Sequence, residues 1–236
     1  MDISKYPSIP SEFWSYYQTL REKRKSHPLL AATSRQGDEK TLDAINELFE
    51  VTCRNTGLKE KLFLNLGFDE NNFDNNHLQS ILGVMRAINT LNDLGFKKIT
   101  PLPPRKSRRE ADLLAVYMNK WFAVEVFRSN EVSYRFPDHS NKSNNLQSYI
   151  AQRYSEKRSQ LDATMREHQC DKAVLTVVID SQPAKALVTG AEWEGVTEAT
   201  YKLMGSPSKI HLLLFTGMKN YFSGKDEYAV YPPLDS

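Results

Sequence analysis

Cysteine is almost missing from this chain: Cys53 and Cys170 are the only two in 236 residues. They stand far apart, without the paired spacing of a zinc site or a redox motif, which argues against a disulfide scaffold and fits a reducing compartment. Each reads as a small hydrophobe of the interior. Long apolar runs are missing too. No stretch approaches the roughly 18 residues of a membrane span, and residues 1–14, broken by Pro7 and Pro10, lack the charged-then-apolar pattern of a signal. The expectation is a cytoplasmic protein with no membrane partner. Excess charge of either sign is likewise absent: the formal net charge is +2. Nothing in that balance attracts nucleic acid globally, so any basic surface must be local.

What is present is an ordinary share of apolar and charged residues, 40% and 25%, enough for one domain with a helical extension. Residues 11 to about 64 read as helical and charged, with Leu42, Ile45, Leu48 and Phe49 spaced to form one apolar face. The Asn- and Asp-rich residues 68–76 read as a loop. It divides the chain into an N-terminal helical arm or cap, residues 1–75, and a core, residues 76–236. In the core, Leu78, Ile81, Leu82, Met85 and Ile88 recur at helical spacing on a helix that ends before Gly95. Strands are expected at 96–102, 111–118 and 121–127, then a polar loop at 129–145. A helix at 146–168, a strand at 173–180, a helix at 191–204 and a strand at 210–216 complete the order. Such an order implies a mixed central sheet flanked by helices, an α/β fold.

The second and third strands carry the chemistry. With Asn119 and Lys120 as a two-residue loop, Leu114 faces Glu125 and Asp112 faces Phe127, and all four project from one face. Asp112 and Glu125, diagonal neighbours roughly 7–8 Å apart in such a pairing, could aim their carboxylates at one cation. Both interrupt apolar strands, where an unpaired carboxylate costs several kcal/mol, of the order found for buried ions. Mg²⁺ or Mn²⁺ would compensate that cost; so would a wet strand end or pairing with Arg109 or Arg128.

The order helix, strand, Glu110-Ala111-Asp112 on the second strand and Ala123-Val124-Glu125-Val126-Phe127 on the third, followed by a helix and a strand, resembles the PD-(D/E)xK phosphodiesterase superfamily. The resemblance spans about residues 76–216. It implies a restriction-endonuclease-like fold, Mg²⁺ or Mn²⁺ held by Asp112 and Glu125, and metal-dependent hydrolysis of DNA. Where that superfamily usually has its lysine, this chain has Phe127, which cannot supply an ammonium. On the next helix Leu146, Ile150, Tyr154, Leu161 and Met165 fall within one arc, with Lys157 near its centre. Lys157 is the candidate replacement, completing a catalytic set with Asp112 and Glu125; the alternative is a lysine that carries its charge out to water. Gln152, Arg153 and Gln160 surround Lys157; the resemblance implies that such a helix often carries Gln or Tyr near the site, but each reads first as ordinary helix surface.

Cations for a phosphate backbone are Arg105, Lys106, Arg108 and Arg109 ahead of Asp112, Arg128, Arg135 and Lys142 in and beside the polar loop, and Arg153 on the helix. Near the loop cations, Tyr134 and Phe136 add rings on which bases stack. A solvated loop would look the same. Two functions therefore stand: a DNA endonuclease, acting as a homodimer or in a larger complex if it cuts both strands, or an inactive domain of the same fold that binds nucleic acid or a partner protein.

Overall fold

In the computed structural model of the chain, residues 3–23, 26–59, 61–104, 110–129, 142–179, 190–215 and 228–236 are described; in the stretches that begin at 142 and 190, side chains are described from 146 and 193 onward. Helices α1 (Ser11–Lys23), α2 (Pro28–Gln36), α3 (Asp38–Thr56), the single turn α4 (Leu62–Asn65) and α5 (Asn75–Asp93) come first. Then follow β1 (Lys97–Pro101), β2 (Leu113–Tyr117), β3 (Lys120–Arg128), α6 (Lys142–Glu167), β4 (Lys172–Val178), α7 (Gly190–Leu203), β5 (Ile210–Phe215) and β6 (Tyr228–Tyr231).

Local chemistry explains the element ends. Asp74 caps α5, its side chain accepting from the Asn76 N–H, as a short carboxylate does for the otherwise unpaired amides of a helix start. Gly95, with φ +97°, then turns the chain into β1. The six strands lie in sequence order in one open sheet. β1, β2 and β3 run antiparallel, β3, β4 and β5 are parallel, and β6 closes the far edge antiparallel to β5. The two parallel connections contain α6 and α7, as a parallel crossover requires.

Alternation along the strands sorts the core into two faces. Ala123, Phe127, Leu175, Val177, Leu212 and Leu214 pack with Leu146, Ile150, Tyr154 and Leu161 of α6 and Trp193 and Tyr201 of α7. On the other face Leu113, Ala115, Phe122, Val124 and Leu213 pack with Ala87, Ile88 and Leu91 of α5. The first half of α5 serves a third cluster: Leu78, Ile81, Leu82 and Met85 pack with Phe13, Tyr16, Leu42, Phe49, Leu62 and Phe63 of the N-terminal helices. The fold is thus α/β, a mixed six-stranded sheet flanked by helices, with the N-terminal helices joined to it through α5.

Three expectations need correction. The polar loop expected at 129–145 is shorter at its end, because α6 begins at Lys142. β6 was not expected at all: four residues followed by Pro232 and Pro233 are too short to show a period. The β2–β3 loop is Met118-Asn119, not Asn119-Lys120. Lys120 pairs with Tyr117, and both loop residues have positive φ, +47° and +64°, the backbone signature of a type I′ hairpin. Among the described residues, no helix is long and apolar enough to cross a membrane.

Candidate functional site

Moving the loop by one residue shifts every cross-strand partner by two, so parity is kept and only distance changes. Val116 pairs with Trp121, Leu114 with Ala123 and Leu113 with Val124. Continued by one step, that register sets Asp112 opposite Glu125 where the sequence suggested a diagonal neighbour, and the Asp112 charge acts on Glu125. Directly opposed side chains in such a pair have Cβ atoms roughly 4.5–5.5 Å apart. The regular strand β2 begins at Leu113, and at Asp112 a side chain takes over the pairing. Asp112 Oδ2 accepts from the Val126 N–H at 2.7 Å, while the Asp112 carbonyl accepts from the Leu102 N–H at 2.8 Å. The carboxylate is thereby fastened between β1 and β3.

Glu125 lies on the face covered by α6 and is only 1% exposed. Its partners come from that helix. Lys157 Nζ is 2.6 Å from Glu125 Oε1, and Gln160 Nε2 donates to Glu125 Oε2 at 2.8 Å. Gln160 also donates to the Glu110 carbonyl and accepts from Lys157 Nζ through Oε1 at 3.3 Å. Lys157 occupies the apolar arc of α6, among Ile150, Tyr154 and Leu161, and its ammonium meets the buried acid instead of running to water.

From the sequence, Gln160 reads first as ordinary helix surface, because its spacing on α6 resembles that of a surface residue. Its importance comes from contacts 35 and 50 positions away in the chain, which no local period reports. Glu110 was noted only as part of a motif. Its carboxylate oxygen lies 3.7 Å from His168 Nε2, and Glu110, Glu167 and His168 bring three donor atoms within 4.8 Å of one another.

Burial dominates the electrostatics. It raises the pKa of Asp112, opposed by the Val126 N–H and by Lys157. It also raises that of Glu125, where the neighbouring Asp112 charge adds to the effect and Lys157 opposes it. Both shifts come first from burial, which favours the neutral carboxyl; the Asp112 charge adds to it at Glu125, and the nearby Lys157 and Arg153 offset only part of it. As a donor set Asp112 and Glu125 suit a hard divalent cation, which takes carboxylate oxygens. Asp112, Lys157, Gln160, Glu110 and Ala111 line a cavity of about 220 Å³, to which, among the described residues, 65–66, 84 and 102–104 also contribute. Glu125 stands behind Lys157 and Gln160, outside that lining.

The expected phosphate-binding cations are placed differently. Arg153 pairs with Glu156 at 2.6 Å, and its guanidinium carbon sits 5.9 Å from the centre of the Phe127 ring, on the α6 side. Arg128 lies on the opposite face of the sheet: a Cβ built on Gly83 of α5 would meet its Cδ at 3.2 Å. The structure therefore does not bring Arg128 together with Lys157 and Arg153. Arg105, Lys106, Arg108, Arg109 and Arg135, with Tyr134 and Phe136, lie outside the described residues, as does the side chain of Lys142.

Compared with known proteins, the chain matches no family model, no curated protein and no solved structure.

Proposed function

We propose that this chain is a metal-dependent DNA endonuclease of the PD-(D/E)xK type, restriction-endonuclease-like in fold. The observation that carries the reading is the meeting of Asp112 and Glu125 across β2 and β3, with Lys157 of α6 at 2.6 Å from Glu125 and in the lining of the same cavity as Asp112. Asp112 and Glu125 are the residues that would hold Mg²⁺ or Mn²⁺. When bound, such an ion polarises a phosphate and acidifies a water.

The chain's own groups have separable tasks. Asp112 is fixed by the Val126 N–H, so its second carboxylate oxygen is held in a set direction beside the cavity. Lys157 brings a positive charge to a scissile phosphate and counters the charge that builds on its oxygens. Gln160 fixes Glu125 and Lys157 relative to each other. On this reading the protein works on DNA in the cytoplasm. Cutting both strands requires two sites or two successive events, which a homodimer or larger complex would supply.

The test is cleavage of linear, supercoiled and single-stranded DNA in Mg²⁺ or Mn²⁺ by the purified chain and by its Asp112→Asn and Lys157→Met variants. Metal-dependent cutting that falls at least 100-fold in each variant is expected. Cutting that survives a double Asp112→Ala, Glu125→Ala substitution would remove the proposal.

A second reading, an inactive domain that binds nucleic acid or a partner protein, draws on two specific observations. Phe127 is buried under the α6 face where the lysine of the resembled superfamily would stand. Both oxygens of Glu125 are also already engaged by Lys157 and Gln160. Calorimetric titration with Mn²⁺ separates the two: no uptake by the wild type, with DNA binding intact, selects the inactive domain.

A further inference from the structure

The cavity beside Asp112 has walls from two parts of the chain. One part is the sheet and α6. The other is the end of α4, where Asn65 and Leu66 line the same space as Asp112 and Lys157. This wall is firmly seated. Leu62 and Phe63 of α4 are buried in the N-terminal core, and the Phe63 ring stacks on Phe68 with centroids 4.1 Å apart. Next to the wall, Gly67 turns the chain at φ +75° so close to Pro104 that a Cβ would lie 2.7 Å from its Cγ. A left-handed backbone and a contact that leaves no room for a side chain lock the N-terminal helices against the segment joining β1 and β2.

The lining has two chemistries. Asp112, Lys157 and Gln160 are polar. Leu66, Val84, Leu102, Pro103 and Pro104 are apolar, surfaces suited to the faces of a planar ring. Asn65 adds an amide whose side chain makes no hydrogen bond among the described residues, leaving both a donor and an acceptor for a ligand. At about 220 Å³ the cavity is smaller than the roughly 300–1,000 Å³ that encloses drug-sized ligands. That is the scale of a single base and not of a base pair, with sugar and phosphate left at the open side.

We propose that the Asn65–Leu66 wall makes this cavity a receptor for a single unpaired nucleotide, so that the protein selects single-stranded over double-stranded DNA, with Asn65 and Leu66 as specificity-determining residues. This rests on the nuclease reading for its choice of ligand. For a base to enter the apolar part of the cavity while its phosphate meets Lys157, the nucleotide must leave its stack. A single strand gives it up readily, whereas a duplex must first break a pair. The N-terminal helices are then part of the site.

The test uses the full chain and fluorescent 20-mers of one sequence, single-stranded or as a blunt duplex, with binding read by anisotropy in Ca²⁺ and cleavage in Mg²⁺. The wild type is expected to bind the single strand at least tenfold more tightly than the duplex. Leu66→Trp, which fills the cavity, is expected to abolish that preference, and Asn65→Ala, which removes only the amide, to reduce it severalfold. Melting curves report whether each variant is folded, and Asn65, half-buried at a helix end, tolerates truncation should Leu66→Trp not fold. Equal binding of the two forms, or a folded variant pair that keeps the wild-type preference, overturns the proposal even if both forms are cut. A single-strand preference lost in the variants, in a protein that cuts nothing, supports the proposal and rejects the nuclease reading instead.

Discussion

At the scale of single residues, the dominant fact is a glutamate buried to 1% exposure whose two oxygens are both held by α6. A buried acceptor left unmatched costs about 1–3 kcal/mol, so Gln160→Ala is expected to destabilise the protein by about that amount, measured by urea unfolding. Gln160→Ala leaves both Glu125 Oε2 and the Glu110 carbonyl without this donor. A loss below about 0.5 kcal/mol would show that water replaces the amide at little cost.

The same pair dictates a pH response. The pKa values of Asp112 and Glu125 are raised in the folded protein, so the folded state binds protons more tightly than the unfolded chain. Their contribution to stability is fully present below the unfolded carboxylate pKa of about 4 and is lost as pH rises through the folded values. Without divalent metal, these two groups should therefore make the protein less stable at pH 8 than at pH 5. Asp112→Asn with Glu125→Gln should flatten that slope, and Mg²⁺ should restore stability at pH 8 in the wild type alone. Thermal melting at the two pH values, with and without Mg²⁺, reads all three. No Mg²⁺ effect would count against the metal site.

At the scale of elements, the β2–β3 hairpin sets the geometry of the acids, and its weak point is Met118. Its φ of +47° is a conformation that costs a residue with a Cβ roughly 1–2 kcal/mol, and its side chain, 67% exposed, returns little packing. Met118→Asn, which tolerates the left-handed region, is expected to raise stability by about 0.5–1 kcal/mol without altering the pairing of Leu113 with Val124. Calorimetry measures the gain. An unchanged or lower melting temperature would mean that the loop is held by more than its own backbone preference.

At the scale of the molecule, α5 is shared. Leu78, Ile81, Leu82 and Met85 belong to the N-terminal cluster, while Ala87, Ile88 and Leu91 belong to the sheet. Removing residues 1–75 would expose the first four, each worth about 1.5–3 kcal/mol when buried. Their sum is comparable with the roughly 5–15 kcal/mol that keeps a domain folded. The fragment 76–236 is therefore expected to melt without a cooperative transition and to bind a hydrophobic dye, whereas the full chain melts in one step. A fragment that melts cooperatively would mark the N-terminal helices as a separable arm.

Much of this was legible in the sequence because it depends on period. Alternation put Asp112 and Glu125 on one face of their strands, and that survived a loop misplaced by one residue because the error shifts partners by two. The helical period placed Lys157 within the apolar arc of α6, and the helix–strand order implied an α/β sheet. Tertiary structure alone decided the rest. Asn119 suits either hairpin loop, and the pairing of Tyr117 with Lys120 chose between them. Gln160 has no local signal, since its partners are strand residues brought beneath it by packing. That α4 walls the cavity follows from the contact of Gly67 with Pro104, between segments that share no period. Periodicity is a property of neighbours along the chain, so it reports which way a side chain faces; what it meets there is set by elements arriving from elsewhere.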